Sequence, residues 1–293
     1  MRFGYHATMC EPSFYPELIK AAEAAGFDSF SVPDSIFYPQ EAEKSQYPYN
    51  ADGSREFLDG VPFIDPFTLI AWLGGMTTRM KFTMSVLKLA IRQPVICAKQ
   101  ALSLAVITNN RLNFGVGISP WKEDFAACGV PWEGRGRRLE EIIAIIRGFG
   151  TGDYFGFEGE FFNFKPAKMC PVPTEPLPIL LGGHSEPALA RAAKMCDGWI
   201  SAGSSLEDLK SMMATIDGYR SQFGRMNQPF DFQASALETY TADGVKKLED
   251  IGVNETTVAF RDAYAGGADN RTLDGMIDEI NRYADDVIEK VRV

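Results

Sequence analysis

Two rhythms of apolar residues alternate along this chain. Short apolar runs of strand type stand at Arg2–Tyr5, Phe27–Val32, Met80–Leu87, Arg111–Val116, Pro178–Leu181, Gly198–Ser201, Phe230–Ala236 and Glu255–Phe260. Between them apolar residues return at helical spacing, as Leu18, Ile19, Ala22 and Ala25 do within Pro16–Ala25 before Gly26 stops the run. The pattern predicts further helices over 65–76, Pro94–Ile107, Arg135–Phe149, 185–195, 205–222, Thr241–Ile251 and Leu273–Val291, with a shorter one near Trp121–Ala127. Their starts carry recognisable caps. Asp65-Pro66 pairs an N-cap acceptor with a first-turn proline, Ser205-x-x-Asp208 resembles a capping box, and Ser185 stands where a cap belongs.

Eight strands, each followed by a helix with no change of composition regime, is the count of an α/β (βα)8 TIM barrel. The expectation is one barrel domain over residues 1–293; a doubly wound sheet is the competing architecture. Two connections are too long for simple turns. The first, Pro33–Ile64, carries Phe37, Tyr38, Tyr47, Tyr49, Phe57 and Phe63 and leaves the C-terminal end of strand two, where barrel enzymes keep their chemistry. It reads as an active-site loop over 33–64, with a satellite cluster against the barrel wall as the plainer alternative. The second, an insertion over 150–176, carries Tyr154, Phe155, Phe157, Phe161, Phe162 and Phe164 around Gly156 and Gly159. Its alternation predicts a hairpin, followed by a strap at Pro171, Pro173, Pro176 and Pro178, with a structural or subunit-contact role.

Composition narrows the function classes. Lys plus Arg is 29 and Asp plus Glu is 39, a formal charge of −10, which argues against nucleic acid as a partner. No apolar run is long enough to span a membrane, and MRFGYHATMC lacks the hydrophobic stretch of a signal peptide. The cysteines Cys10, Cys97, Cys128, Cys170 and Cys196 are odd in number and never in a CxxC pair. Neither a disulfide framework nor a metal site is expected, and a cytoplasmic location is. The sequence has two histidines, His6 and His184.

Phe114-Gly115-Val116-Gly117-Ile118-Ser119-Pro120 begins like a dinucleotide fingerprint but places Pro120 at the third glycine. What remains is a strand end with two glycines, open to the close approach of a ring or of backbone. Leu180-Leu181-Gly182-Gly183-His184-Ser185 says more: a strand turns through two glycines into a helix start, where free backbone N–H groups can take a phosphate. A tight strand-to-helix turn is the alternative. Arg135, Arg137 and Arg138 at a helix start read first as a solvated face and second as an anion site. His6 and Asp34 end strands one and two, and are the candidate catalytic residues. His6 can act as acid, base or hydrogen-bond donor, and Asp34 can pin a loop or meet a ligand.

One ordered set of motifs resembles the flavin-dependent luciferase-like monooxygenase superfamily. It comprises Met76-Thr77-Thr78-Arg79-Met80-Lys81-Phe82, Ser85-Val86, Arg92-Gln93-Pro94-Val95, Ala98-Lys99-Gln100 and Asn110-Arg111-Leu112-Asn113-Phe114-Gly115-Val116-Gly117. It continues with Gly129-Val130-Pro131, Arg135-Gly136-Arg137-Arg138, Gly182-Gly183-His184-Ser185 and Asp197-Gly198-Trp199. The branch it most resembles is that of coenzyme F420-dependent oxidoreductases. The resemblance implies a (βα)8 barrel holding F420, or alternatively FMN, at its C-terminal face, in a homodimer. It implies cofactor contacts from Gly182, Gly183, His184 and Ser185, with Gly198 beside them. It also implies a non-proline cis peptide at Ser85-Val86 supporting the ring, and Gly117 lining the ring's other approach.

Two departures bear on the chemistry. Asp34-Ser35 stands where many F420-dependent dehydrogenases have Asp-His, and Pro120 stands where the sugar-phosphate dehydrogenases have an acid. Acid–base chemistry of that branch is therefore not carried over. The reading is an oxidoreductase in which the cofactor carries the electrons and the protein supplies positioning, acting on a small, mainly apolar substrate. With F420 the reaction is hydride transfer. With FMN it is oxygenation by reduced flavin and O2, with a flavin or F420 reductase as partner. A non-enzymatic flavin- or F420-binding protein and a barrel enzyme of unrelated chemistry, such as a phosphosugar isomerase, are the rivals.

Overall fold

The computed structural model describes residues 1–7, 9–40, 47, 53, 55–262, 264 and 269–292. Eight strands form the barrel: β1 (Arg2–His6), β2 (Ser29–Val32), β3 (Lys81–Met84), β4 (Leu112–Gly117), β5 (Ile179–Gly182), β6 (Gly198–Ile200), β7 (Asp231–Ala234) and β8 (Glu255–Val258). Every neighbouring pair is parallel, and β8 returns to β1, with Arg2 opposite Glu255 and Tyr5 opposite Val258. The sheet closes as a TIM barrel, which rules out the doubly wound alternative. The helices outside it are α1 (Tyr15–Ala24), α2 (Pro66–Gly74), α3 (Pro94–Ile107), α4 (Lys122–Ala127), α5 (Arg135–Gly150), α6 (Glu186–Met195), α7 (Leu206–Gln222), α8 (Ala242–Asp250) and α9 (Leu273–Tyr283).

Local chemistry explains why these elements begin where they do. Asp65 accepts the Thr68 N–H at 3.1 Å and Ser205 accepts the Asp208 N–H at 3.1 Å, both as expected of their caps. Ser185 differs: its side chain makes no capping bond, and Pro187 within the first turn removes one of the N–H groups a cap would serve. The predicted third strand, Met80–Leu87, is split. β3 stops at Met84, Ser85-Val86 bulges out, and Leu87–Lys88 rejoins β4 opposite Val116 and Gly117. The last helix is also broken, by a π-helical turn at Ala284–Ile288. The predicted hairpin is present, as Phe155–Glu158 against Asn163–Ala167, and its Phe164 stacks on Phe149 of α5 at 5.4 Å.

The two ends of the barrel differ in kind. At the N-terminal end, Arg2 donates to Glu255 at 3.1 Å, and Ser29 donates to the other Glu255 oxygen at 2.5 Å. Residues Arg2, Ser29 and Glu255 all begin strands, so this polar plug closes the lower mouth. Burial holds the Glu255 carboxyl above the usual carboxylate range. The open end is the C-terminal one, which the first long connection leaves after β2, whereas the 150–176 insertion leads from α5 to the start of β5 at the other end. No helix of the described residues is long and apolar enough to cross a membrane.

Candidate active site

Parallel strands end together, so their final residues meet at one rim. His6 ends β1, Pro33 and Asp34 follow β2, Ser85 and Val86 follow β3, Gly117 ends β4, Gly182 ends β5 and Ala202 follows β6. All of them line one cavity of about 230 Å³. The Ser85-Val86 peptide is cis, the configuration the family resemblance implied. Its Val86 side chain sits between two bare backbones. A methyl group added at Gly117 would lie 2.7 Å from Val86 Cγ2, and one at Gly182 would lie 2.9 Å from Cγ1. These glycines therefore make room for Val86, which rises between β4 and β5 as the cavity floor.

A second cavity, of about 650 Å³, adjoins the first and shares Ile118, Pro120, Gly182 and Gly183 with it. It runs over the Gly182–Ser185 turn to the start of α6. Gly183 turns the chain at φ +121°, a conformation that L side chains rarely adopt. The turn is fastened from below. Trp199 Nε1 donates to the Gly183 carbonyl at 2.9 Å, and the Ala202 N–H donates to His184 Nε2 at 3.1 Å. That bond needs an unprotonated Nε2, and burial lowers the His184 pKa, which keeps it so. His184 thus positions the turn.

The charged side chains lining this second cavity are Arg135, Arg137 and Arg191, with no carboxylate among its described lining residues. Arg135 lies over the Trp132 ring at 3.7 Å, and Arg191 is held by Glu140 at 3.0 Å. In a chain of net charge −10, this brings three guanidiniums to one cavity, two of them paired with carboxylates outside it, Arg137 with Glu160 and Arg191 with Glu140. The arginine cluster, read first as a solvated face, divides. Arg135 and Arg137 turn to the cavity, while Arg138 donates to the Ala90 carbonyl at 3.0 Å and packs on Phe162.

The expected site residues separate into those brought together and one left out. His6, Asp34, Ser85, Val86, Gly117, Gly182 and Gly183 line the first cavity, and Gly182, Gly183, His184 and Ser185 line the second. Gly198 lines neither. It begins β6, two residues short of the rim, and lies against the Asp231 carbonyl and Leu180, so its missing side chain serves strand packing. One Asp34 oxygen, Oδ2, accepts both the Lys88 N–H at 2.9 Å and the Arg92 guanidinium at 2.9 Å. That ties the ends of β2 and β3 together.

His6 makes no hydrogen bond to a described residue, and burial pushes its pKa down to about 4. At neutral pH it is an uncharged imidazole. This has a consequence for stability. An unfolded histidine titrates near 6.5, so between about pH 6.5 and 4 the unfolded chain binds a proton that folded His6 refuses. His6 therefore makes folding stability fall as pH drops through that window, and costs nothing above it. Urea midpoints at pH 7 and pH 4.5 should differ less for His6→Gln than for the unmodified chain. Equal differences would contradict the assignment.

Described residues of the first long connection line the first cavity. Tyr47, Phe57 and Phe63 line it together with Trp121 and Tyr264. Tyr47 lies 5.7 Å from Phe57, 5.5 Å from Trp121 and 5.8 Å from Tyr264, ring centre to ring centre. Tyr38, Tyr47, Phe57 and Phe63 of 33–64 belong to one satellite cluster, and Tyr47, Phe57 and Phe63 line the cavity. Tyr49 lies outside the described residues.

The sequence reading missed Lys88, Trp121 and Arg191. Lys88 had a signal: it is the lone charge within the apolar run Val86–Ile91. Arg191 had none, because only the fold brings α6 against α5. Among the described residues no group of three or more His, Cys, Asp or Glu is placed to hold a metal ion.

Comparison with known proteins gives the family. Residues 2–281 match the family model of the luciferase-like monooxygenases. The chain belongs to that family. An uncharacterized protein of Mycobacterium tuberculosis is 48% identical over 291 residues, covering 99% of this chain and 100% of that one. An F420-dependent glucose-6-phosphate dehydrogenase of Nakamurella multipartita is 26% identical over 292 residues, covering 96% of this chain and 80% of that one. Among solved structures, the coenzyme F420 dependent tetrahydromethanopterin reductase from Methanopyrus kandleri superposes with a TM-score of 0.74 at 15% identity, covering 98% of both chains. The last likeness is one of fold.

Proposed function

We propose that this luciferase-like chain is an F420-dependent oxidoreductase that transfers a hydride to or from a small, mainly apolar substrate. The observation carrying this reading is the pair of joined cavities: one a ring-sized, largely apolar space above Val86, the other a larger space whose charged lining is all arginine. A deazaflavin has this shape and charge, with a flat ring at one end and a phosphate with a carboxylate tail at the other. FMN, with one phosphate, would leave much of the arginine-lined space unused.

The residues present fit such a group. The Gly182–Ser185 turn and the start of α6 supply backbone N–H groups for the phosphate, and Arg135 and Arg191 supply cations beyond it. Val86 supports the ring face, with Gly117 and Gly182 allowing it that position. When bound, the deazaflavin supplies a two-electron hydride donor or acceptor. The protein's part is geometry and exclusion of water. Tyr47, Phe57, Phe63 and Tyr264 close the substrate space from above as an active-site wall, and neutral His6 faces it as a hydrogen-bond partner. Asp34 holds the rim in place, and Gly198 takes no part.

Fluorescence titration with oxidised F420, and separately with FMN, tests the reading. The expected result is F420 binding at least tenfold tighter than FMN, with turnover across a panel of reducible apolar substrates. Tighter FMN binding would replace it with a monooxygenase served by a reductase. Tight binding without turnover would replace it with a carrier or sensor. Binding of neither would remove the cofactor from the account.

A further inference from the structure

Two consecutive carboxylates in the first turn of α4 fasten one wall of the first cavity. Glu123 accepts the Arg55 guanidinium at 2.6 Å, and Asp124 accepts the Lys88 ammonium at 2.8 Å. The two cations come from different parts of the chain, Arg55 from the first long connection and Lys88 from the segment after the Ser85-Val86 bulge. Both meet one ring. The Arg55 guanidinium carbon lies 5.0 Å and the Lys88 nitrogen 4.2 Å from the centre of Trp121, which stands immediately before α4. The Trp121 side chain lines the cavity, whereas Arg55 and Glu123 are not among its described lining residues.

Arg55 also starts a turn. Its carbonyl accepts the Leu58 N–H at 3.0 Å, opening the single turn Glu56–Leu58, whose Phe57 and Leu58 line the cavity. With Met9 and Trp121 these two form a buried apolar cluster separate from the main core. So small a cluster has few apolar contacts to fix its place, and the polar links through α4 carry much of its attachment. Arg55 is 4% exposed, and its Nε has no hydrogen-bond partner among the described residues. A buried cation with an idle donor adds little stability over an apolar residue of the same size. What its pair with Glu123 supplies is position, because a planar guanidinium held by a carboxylate and laid against an indole has little freedom left.

We propose that Arg55 is the positioning residue that sets the size limit of the substrate cavity. Held by Glu123, it fixes Trp121, Phe57 and Leu58 as one wall, and that wall admits compact apolar molecules and turns away bulkier ones. The inference rests on the first cavity being the substrate space of the proposed function.

The test uses fluorobenzene and 1-fluoronaphthalene as a small and a large apolar probe, on the whole chain without F420, with binding followed by fluorine NMR. Arg55→Met should raise the affinity of the larger probe relative to the smaller at least tenfold. Arg55→Lys, which keeps a cation for Glu123, should hold that ratio within threefold of the unmodified chain. A second readout replaces the four tryptophans by 5-fluorotryptophan, with the Trp121 resonance assigned through Trp121→Phe. Arg55→Met should move that resonance and leave those of Trp72, Trp132 and Trp199 in place, which a general loosening of the fold would not do. Should Arg55→Met fail to fold, the double variant Arg55→Met with Glu123→Gln removes both charges and should give the same ratio and the same resonance shift. An unchanged ratio in the folded variants, or displacement of all four tryptophan resonances, would overturn the proposal. F420 titration of the unmodified chain runs beside these measurements. Absence of F420 binding there would defeat the proposed function, whereas the probe ratio on the unloaded chain judges Arg55 separately.

Discussion

Arg135→Ala and Arg191→Ala should each weaken F420 binding about tenfold, equivalent to about 1.4 kcal/mol, and together nearly a hundredfold. Both arginines line the larger cavity, and no described carboxylate competes for the ligand there. Arg191 has the larger expected effect of the two. It is mostly covered and holds Glu140 at 3.0 Å, so removing it also leaves that carboxylate, still held by Lys194 at 3.2 Å, facing the anion with less compensation. Arg137 is the internal control. Its guanidinium is exposed and committed to Glu160 by two bonds of 2.8 Å, so Arg137→Ala should cost less than threefold. The dependence of F420 affinity on salt should flatten in the double variant, because two screened attractions are gone. Equilibrium titration at two salt concentrations checks each statement. Equal small losses at all three positions would show that the anionic end lies elsewhere.

Gly117→Ala should weaken binding of the ring end at least tenfold, and Val86→Ala should restore much of it. The added methyl would meet Val86 Cγ2 at 2.7 Å, so Val86 must move, and the open direction is into the cavity. Overpacking of this kind costs about 1–3 kcal/mol. Shortening Val86 relieves the clash, so the double variant should show a favourable coupling in a double-mutant cycle. A truncated probe such as riboflavin, which has a ring and no phosphate, isolates this end of the site. Failure of Val86→Ala to rescue Gly117→Ala would mean that the glycine serves strand packing alone.

The barrel was legible because its signals are local and repeated. Apolar runs, helical spacing and the Asp65 and Ser205 caps each fix an element through bonds within a few residues. The Gly182–Ser185 turn was legible for the same reason, since a strand, two glycines and a helix start lie in one short segment. Its physical basis is different in part: Ser185 does not cap, and the turn is held by Trp199 of β6 and by the Ala202 N–H just after β6, which bonds the turn's own His184. The bulge at Ser85-Val86 came from family resemblance, because nothing in the residues Met80–Leu87 themselves breaks the strand pattern. Gly198 misled for a clear reason. A glycine beside a conspicuous motif is as suited to close strand packing as to ligand approach, and only its place at the start of β6 decides. Arg191 and the Lys88–Asp124–Trp121 wall were hidden because they join residues far apart in the chain, which the alternation of elements does not pair. Asp34 was visible as a rim residue, but its commitment to Arg92 was not, since that bond spans 58 residues.

The central claim is that one deazaflavin spans both cavities, ring on Val86 and phosphate on the Gly182–Ser185 turn. A crystal structure of the chain with F420 tests it most directly. The account predicts the ring against Val86 between Gly117 and the aromatic wall, the phosphate accepting N–H groups at the start of α6, and the tail carboxylates near Arg135 and Arg191. A phosphate bound away from that turn, or a ring lying in the arginine-lined space, would contradict it.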